Sequence, residues 1–390
     1  MSILVQKYGG KCLSTPHQRV ECARCVLGAV RAGRKVVVVV SAMGRAGAPY
    51  ATDTLMELAA REWPPLLPRE LDLMLACGEI ISAALFAHTL RSLGLEKVRA
   101  LTGAQAGLIT SASYGRARIV RVNTDSLHEL LKDNWVPVVA GFQGITKSGE
   151  VTTLGRGGSD ITATALAAAL KASLVEIYTH AGGVRTADPD LVPQARPVPA
   201  LSYWEAWHLA AAGMRVLHPD SILQAARSRI PLVVRDPQGR CARTLVTDGA
   251  NLARPGSPAP VTGIAHRLDI RQLQLRPSGQ ACAPTFPLTV AYPVETGVAP
   301  RHSPAPYGAV TLVGAGTGQD PQVLVEAYQA LLRAGISPLQ CQPAPMRVSF
   351  ITRREDTARA VRILHDHFRL AGADGTHAGR DEGTNQAAQG

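Results

Sequence analysis

Three short stretches carry residue types that could do chemistry together. The first is Gly155-Arg-Gly-Gly-Ser-Asp160, where an extended Thr-rich run breaks into a glycine turn and opens into an alanine-rich helix. Backbone N–H groups at a helix start favour anions, and the glycines permit close approach and positive φ. Into that corner the chain places one cation (Arg156), one hydroxyl (Ser159) and one carboxylate (Asp160). Ser and Asp are common helix caps, but a cap needs neither three glycines nor an arginine. The second stretch is Lys7-Tyr-Gly-Gly-Lys-Cys12, again a strand end, a glycine turn and a helix, with two lysines. Lys7 closes an apolar strand and therefore needs an anionic partner. The third is Cys77-Gly-Glu79, whose carboxylate sits among Ile80, Ile81, Ala83 and Leu85, which implies partial burial beside a partner. Two anion-binding corners suit an anionic small molecule.

Positioning such groups requires strand ends and helix starts on one edge of a sheet. Ile3-Leu-Val-Gln reads as a buried strand, and Thr15, Pro16 and Gln18 form the start of a capped helix that Gly33 stops. Lys35-Val-Val-Val-Val-Val40 is the β-branched run of a central parallel strand, ending at Ser41-Ala-Met-Gly44. Further strands are expected at Val136–Gln143, Leu174–Tyr178 and Pro231–Arg235, with helices between them and others from Ser202 and after Gly213–Pro219. Strands alternating with helices predict one mainly parallel α/β domain whose loops share an edge. Residues 236–260 loosen into a Pro/Gly-rich connector, and two strand-like pieces follow Val261. Strand, helix, strand and helix return in order from Gly308 to Phe368, and 371–390 is small, polar and without period, which predicts disorder.

The totals bound the partners. At 390 residues the chain can hold two or three domains, and its formal charge is +11 with few aromatics. The arginines are scattered, which argues against nucleic acid and suits anionic small molecules. Seven cysteines in no regular pairing suggest a reducing, cytoplasmic setting. Cys22-Ala-Arg-Cys25 has redox or metal spacing, yet it lies inside a helix pattern without a second pair, so no metal site is expected. No signal peptide or membrane-spanning stretch is expected.

Seven motifs together resemble the aspartate kinases of the amino-acid kinase superfamily. They are Val5-Gln-Lys-Tyr-Gly-Gly10, Val38-Val-Val-Ser-Ala-Met-Gly44, Cys77-Gly-Glu79, Leu101-Thr-Gly-Ala-Gln-Ala-Gly107, Val139-Ala-Gly-Phe-Gln-Gly144, Gly155–Asp160 and Val216-Leu-His-Pro219. Gly44–Thr54 looks like the longer loop of the diaminopimelate-responsive class. The resemblance implies a three-layer α/β/α fold with a mainly parallel sheet, followed by a ferredoxin-like ACT-type α+β module. It implies transfer of the γ-phosphoryl of ATP, with Mg2+, to the β-carboxylate of L-aspartate, in lysine, threonine and methionine biosynthesis. By the same resemblance Lys7 and Asp160 are catalytic, and Ser41, Thr52, Glu79, Arg156 and Ser159 bind substrate. Gly9, Gly10, Thr179, Arg185 and Arg215 would hold the nucleotide, with Gly9 and Gly10 offering their N–H groups. The implied organisation is a catalytic domain over 1–240, a linker and reduced first ACT-like module over 241–306, an ACT-like module over 307–370 and the tail. Relatives of this type pair through those C-terminal modules, so a homodimer is expected.

The nucleotide side departs from the family pattern at Lys11, Cys12, His180, Arg185, Asp190 and Arg215. Gln342-Pro-Ala-Pro-Met346 stands where a hydroxyl-rich regulatory turn is usual, which makes feedback inhibition doubtful. Two alternatives therefore remain beside an active aspartate kinase: a same-fold kinase with another carboxylate or phosphate donor, and a catalytically impaired regulatory homologue.

Overall fold

The computed structural model describes residues 2–239, 242–249, 261–275, 288–293 and 306–371, with 271–275 and 288–293 defined by backbone alone. Two compact units emerge: Met1–Val184 with Pro197–Ser257, and Arg185–Arg196 with Pro258–Gly390.

The first unit runs β1 (Ile3–Tyr8), α1 (Pro16–Arg31), β2 (Lys35–Val40), α2 (Thr52–Ala59), α3 (Pro68–Ser92), β3 (Val98–Leu101), β4 (Leu108–Thr110) and β5 (Ile119–Val122). It continues through α4 (Asp125–Lys132), β6 (Val136–Ala140), β7 (Gln143–Ile145), β8 (Val151–Thr153), α5 (Gly158–Ala169) and β9 (Leu174–Tyr178). After the excursion into the other unit come β10 (Ala200–Ser202), α6 (Tyr203–Ala211), α7 (Pro219–Ser228), β11 (Leu232–Arg235) and β12 (Thr244–Thr247). Eight strands make the large sheet in the order β10-β12-β11-β9-β1-β2-β6-β3, and only the β11–β12 pairing is antiparallel, so β12 and β10 run opposite to the rest. Both faces of its centre are covered, so Val36–Val40 is buried throughout. The even-numbered valines pack with Cys22, Ala23 and Val26 of α1 and with Ala83, Phe86 and Leu90 of α3. The pleat sends Val37 and Val39 to the opposite face, where α5 packs on β1, β2 and β9 and is backed by α7. This is the expected three-layer, mainly parallel arrangement. The predicted Thr15 capping box with Pro16 at the first turn starts α1.

A second sheet of four short strands, β5-β4-β7-β8, lies in the same unit. Two differences from the sequence reading concern this unit. β12 falls beyond residue 240, where a linker was expected, yet it pairs with β10 and β11 in the large sheet. Residues Arg185–Arg196 leave the range 1–240 and join the second unit.

That second unit has β13 (Gly263–Leu275), β14 (Leu288–Pro293), β15 (Tyr307–Val313), α8 (Pro321–Arg333), β16 (Gln340–Ala344), β17 (Arg347–Arg353) and α9 (Thr357–His367). Its five strands form one antiparallel sheet, β14-β13-β15-β17-β16. From β15 onward the order is the β-α-β-β-α of an ACT-type module, with Val310, Leu312, Val348 and Phe350 buried against α8 and α9. The excursion is fastened by Thr186, whose O accepts from Ile264 N at 2.7 Å and whose Oγ1 meets His365 Nε2 at 3.0 Å. The tail expectation for 371–390 lies outside the described residues apart from Ala371.

Candidate active site

Parallel strands β9, β1 and β2 are direct neighbours and end on the same edge. Lys7 is the penultimate residue of β1, and its Nζ lies 2.6 Å from Asp160 Oδ1 in the first turn of α5. The lysine thus finds the anionic partner that its strand position demands. Past β1 the chain makes a short 3-10 turn, Gly10–Leu13. A Cβ on Gly10 would stand 2.2 Å from the carbonyl oxygen of Ala42, so only glycine lets this turn lie against the loop after β2. Gly44 N returns a hydrogen bond to Gly10 O at 3.0 Å, and Ser41 N donates to Tyr8 O at 3.1 Å. The amide of Gly9 is not free for a ligand, as it donates to Tyr178 O at 3.1 Å. Gly10, at the first helical position, keeps an amide with no intrahelical acceptor.

The third stretch meets the same loop. Glu79 on α3 is 2% exposed, and its Oε1 accepts from Ala42 N at 3.0 Å. Its Oε2 is buried without a hydrogen-bond partner. Burial pushes this carboxyl up to about 8, against the opposing pull of the Ala42 N–H and the Lys7 charge. Among the described residues no donor meets this oxygen.

Arg156 projects from the turn before α5 and is 78% exposed, with Asp53 of α2 its ion-pair partner at 3.8 Å. Thr52 opens α2 beside that aspartate. The turn is more self-contained than its sequence suggests. Gly158 N donates to Gly155 O, and Asp160 N and Ile161 N both donate to Gly157 O, so several expected free amides are spent. Gly157 has φ 73°, and a Cβ there would lie 2.4 Å from the His218 ring. His218 caps α7 by accepting Asp220 N on Nδ1, which leaves the proton on Nε2. Ser159 is buried against Gly141, whose Cβ would stand 2.9 Å from its own.

The residues expected on the nucleotide side divide. Thr179 sits at the end of β9, with its N donating to Arg235 O and its Oγ1 accepting Ala181 N. Arg215 is exposed three residues before His218, and Lys11 is half-buried in the 3-10 turn. Arg185 belongs to the other compact unit and donates to Ala195 O at 2.8 Å. Asp72, which the sequence reading passed over, is fully buried and receives Gly115 N, Thr153 N and Thr153 Oγ1 at 2.7–3.0 Å. Its place in an apolar helix carried the same signal that marked Glu79.

The profile of the amino acid kinase family matches residues 2–236. Over 95% of this chain and the full length of the relative, the sequence is 36% identical to aspartokinase 1 of Bacillus subtilis. It is also 36% identical to the aspartokinase of Corynebacterium glutamicum over 96% of this chain and 98% of the other. The chain belongs to the aspartokinases of the amino acid kinase family. Among solved structures, aspartokinase III of E. coli in complex with aspartate and ADP superposes with TM-score 0.77. That likeness covers 94% of this chain and 99% of the other at 21% identity, and shows a shared fold. Within the aspartokinase fold, then, Lys7, Asp160, Glu79 and the 41–44 loop converge on one edge of the large sheet.

Proposed function

We propose that the protein is an ATP-dependent aspartate kinase that forms an acyl phosphate on the β-carboxylate of L-aspartate. The observation that carries this reading is the Lys7–Asp160 ion pair set beside the buried, half-satisfied Glu79. Glu79 Oε2 would accept from the α-ammonium of aspartate, a donor that removes the cost of its burial. Arg156 would grip a substrate carboxylate in two-point fashion, exchanging its long contact with Asp53 for a closer one. Ser41, Thr52 and Ser159 would orient the rest of the amino acid.

Phosphoryl transfer needs alignment and charge neutralisation rather than covalent help. A β-carboxylate oxygen attacks the γ-phosphorus, that P–O bond forms, and the bond to the β,γ-bridging oxygen breaks to leave ADP. Neither oxygen needs to lose a proton at pH 7. Asp160 fixes Lys7 so that its ammonium faces the phosphoryl group, while Gly10 brings backbone close to it. Thr179, Arg215 and Lys11 offer cations and donors toward the nucleotide side. Among the described residues no cluster of three acidic, His or Cys side chains could hold a metal. Mg2+ is commonly held by one or two carboxylates and substrate phosphates. Asp160, in the first turn of α5, would be the carboxylate to hold it, and the ion would spread the phosphate charge. We place the protein in the cytoplasm, where ATP and aspartate meet, and infer that it pairs as a homodimer through the C-terminal sheet.

The test is an assay with aspartate, ATP and hydroxylamine. Aspartyl hydroxamate should form, and Lys7→Ala should lower kcat by about 100- to 1,000-fold, the usual effect of deleting one preorganised charge donor. Product no greater than in Lys7→Ala would overturn the reading. Preference for a different carboxylate under the same conditions would transfer the chemistry to a same-fold kinase.

A further inference from the structure

Three cysteines gather beneath the glycine turn. Cys12 and Cys22 are 4% and 0% exposed and belong to one core cluster with Tyr8 and Tyr178, and Cys25 packs at its margin. The pair suggested by sequence, Cys22 and Cys25 on α1, is not the pair that meets. Cys25 Sγ turns to Glu21 O and Pro237 O, at 3.6 and 3.2 Å. Cys22 Sγ instead donates to Cys12 O at 3.3 Å, which sets the two cysteines against one another in the same core cluster.

Cys12 is also tied to the phosphate-side turn. Its N donates to Gly9 O at 2.9 Å, and its Sγ reaches Tyr178 O, the carbonyl that receives Gly9 N. We propose that Cys12 and Cys22 are a peroxide-oxidisable dithiol, whose disulfide clamps the Gly10–Leu13 turn to α1 and reversibly stops the kinase. The neighbouring Cys22 side chain holds the Cys12 thiol below its ordinary value, Lys7 acting in the same direction and burial opposing both. Nucleophilic attack by a thiol needs its thiolate form. The Cys12 thiolate attacks hydrogen peroxide, an S–O bond forms, the O–O bond breaks, and the departing hydroxide takes a proton to become water. The Cys22 sulfur then attacks Cys12 sulfur, its proton leaves with the displaced oxygen as a second water, and the S–S bond closes. Two thiols and one peroxide become a disulfide and two waters, and a dithiol reductant reverses the change.

A disulfide draws two sulfurs to about 2 Å, well inside the contact distance of two unbonded thiols. Cys12 must leave Tyr178 O, and the turn two residues beyond Gly10 moves with it. A displacement of about 1 Å at a positioning element can cost roughly a hundredfold in rate.

Only the activity arm of the test rests on the kinase reading. Trypsin places Cys12, Cys22 and Cys25 on separate peptides, Cys12–Arg19, Val20–Arg24 and Cys25–Arg31. Full-length protein is treated with hydrogen peroxide, alkylated, digested without reduction and analysed by mass spectrometry. The expected product joins Cys12–Arg19 to Val20–Arg24, rising as activity falls at least about tenfold and vanishing as dithiothreitol restores it. Cys22→Ser should abolish both the cross-link and the sensitivity. A link between Val20–Arg24 and Cys25–Arg31, no link, or a complete link with unchanged turnover would overturn the proposal. Should Cys22→Ser fail to fold, the wild-type time course decides alone. Absence of turnover in every reduced sample would refute the kinase reading and leave the cross-link to judge the dithiol.

Discussion

Glu79 shows how burial and chemistry meet in one side chain. Its carboxyl is raised to about 8 by loss of water, so most molecules carry it protonated at pH 7 before substrate arrives. An approaching ammonium favours the ionised form, and binding must then expel the proton. We expect aspartate binding at pH 7 to release about one proton, read as buffer-dependent heats in calorimetry. KM for aspartate should fall as pH rises toward 8, and Glu79→Gln should lose both the release and the slope. The stability effect has the opposite sense. An unfolded glutamate ionises near 4.3, so the folded chain holds a proton that the unfolded chain has lost between that pH and about 8. Stability from this group therefore declines as pH rises through that window. A KM that is flat with pH would remove Glu79 from the ammonium site.

At the level of elements, Asp72 connects α3 to β8 and to the Gly115 turn through one carboxylate. Asp72→Ala leaves two backbone donors and a hydroxyl without an acceptor, at a cost of about 3 kcal/mol. Urea unfolding should show an earlier midpoint with unchanged m, and Asp72→Asn should fall between. An unchanged midpoint would mean that water replaces the carboxylate. The contrast between Asp72 and Glu79 also shows what could be read in advance. Val36–Val40, the Thr15 capping box and the glycine corner before α5 were legible because each is a strong local pattern that tertiary packing reinforces. β4, β5, β7, β10 and β12 have three or four residues each, too few for alternation to declare itself. α4 is amphipathic but lies in a stretch the sequence reading left without an element. The Lys7–Asp160 partnership followed from type and position, since a lysine closing a buried strand must be answered. Hydrogen-bond partners chosen by the fold were not legible: the Gly9 amide goes to Tyr178, those of Asp160 and Ile161 to Gly157, and the thiol of Cys22 to Cys12.

For the whole molecule, the formal charge of +11 acts on substrates that are both anions at pH 7. Such a field speeds encounter and is damped as the Debye length shrinks. kcat/KM for ATP should drop about three- to tenfold between ~0.02 and ~0.2 M KCl, with kcat within about twofold. A salt-independent kcat/KM would confine electrostatics to contact range. The strand order of the large sheet has a consequence of its own. β1 lies between β9, which stops one residue short of Thr179, and β2, which stops one residue short of Ser41, the residues we propose for the nucleotide and the acceptor. Neighbouring strands are about 4.8 Å apart, so the strand ends that would moor donor and acceptor stand roughly one nanometre apart, with Lys7 midway on the gangway between them. That spacing is imposed by the ladder bonds of three adjacent strands, and it holds however the connecting loops lengthen, shorten or wander.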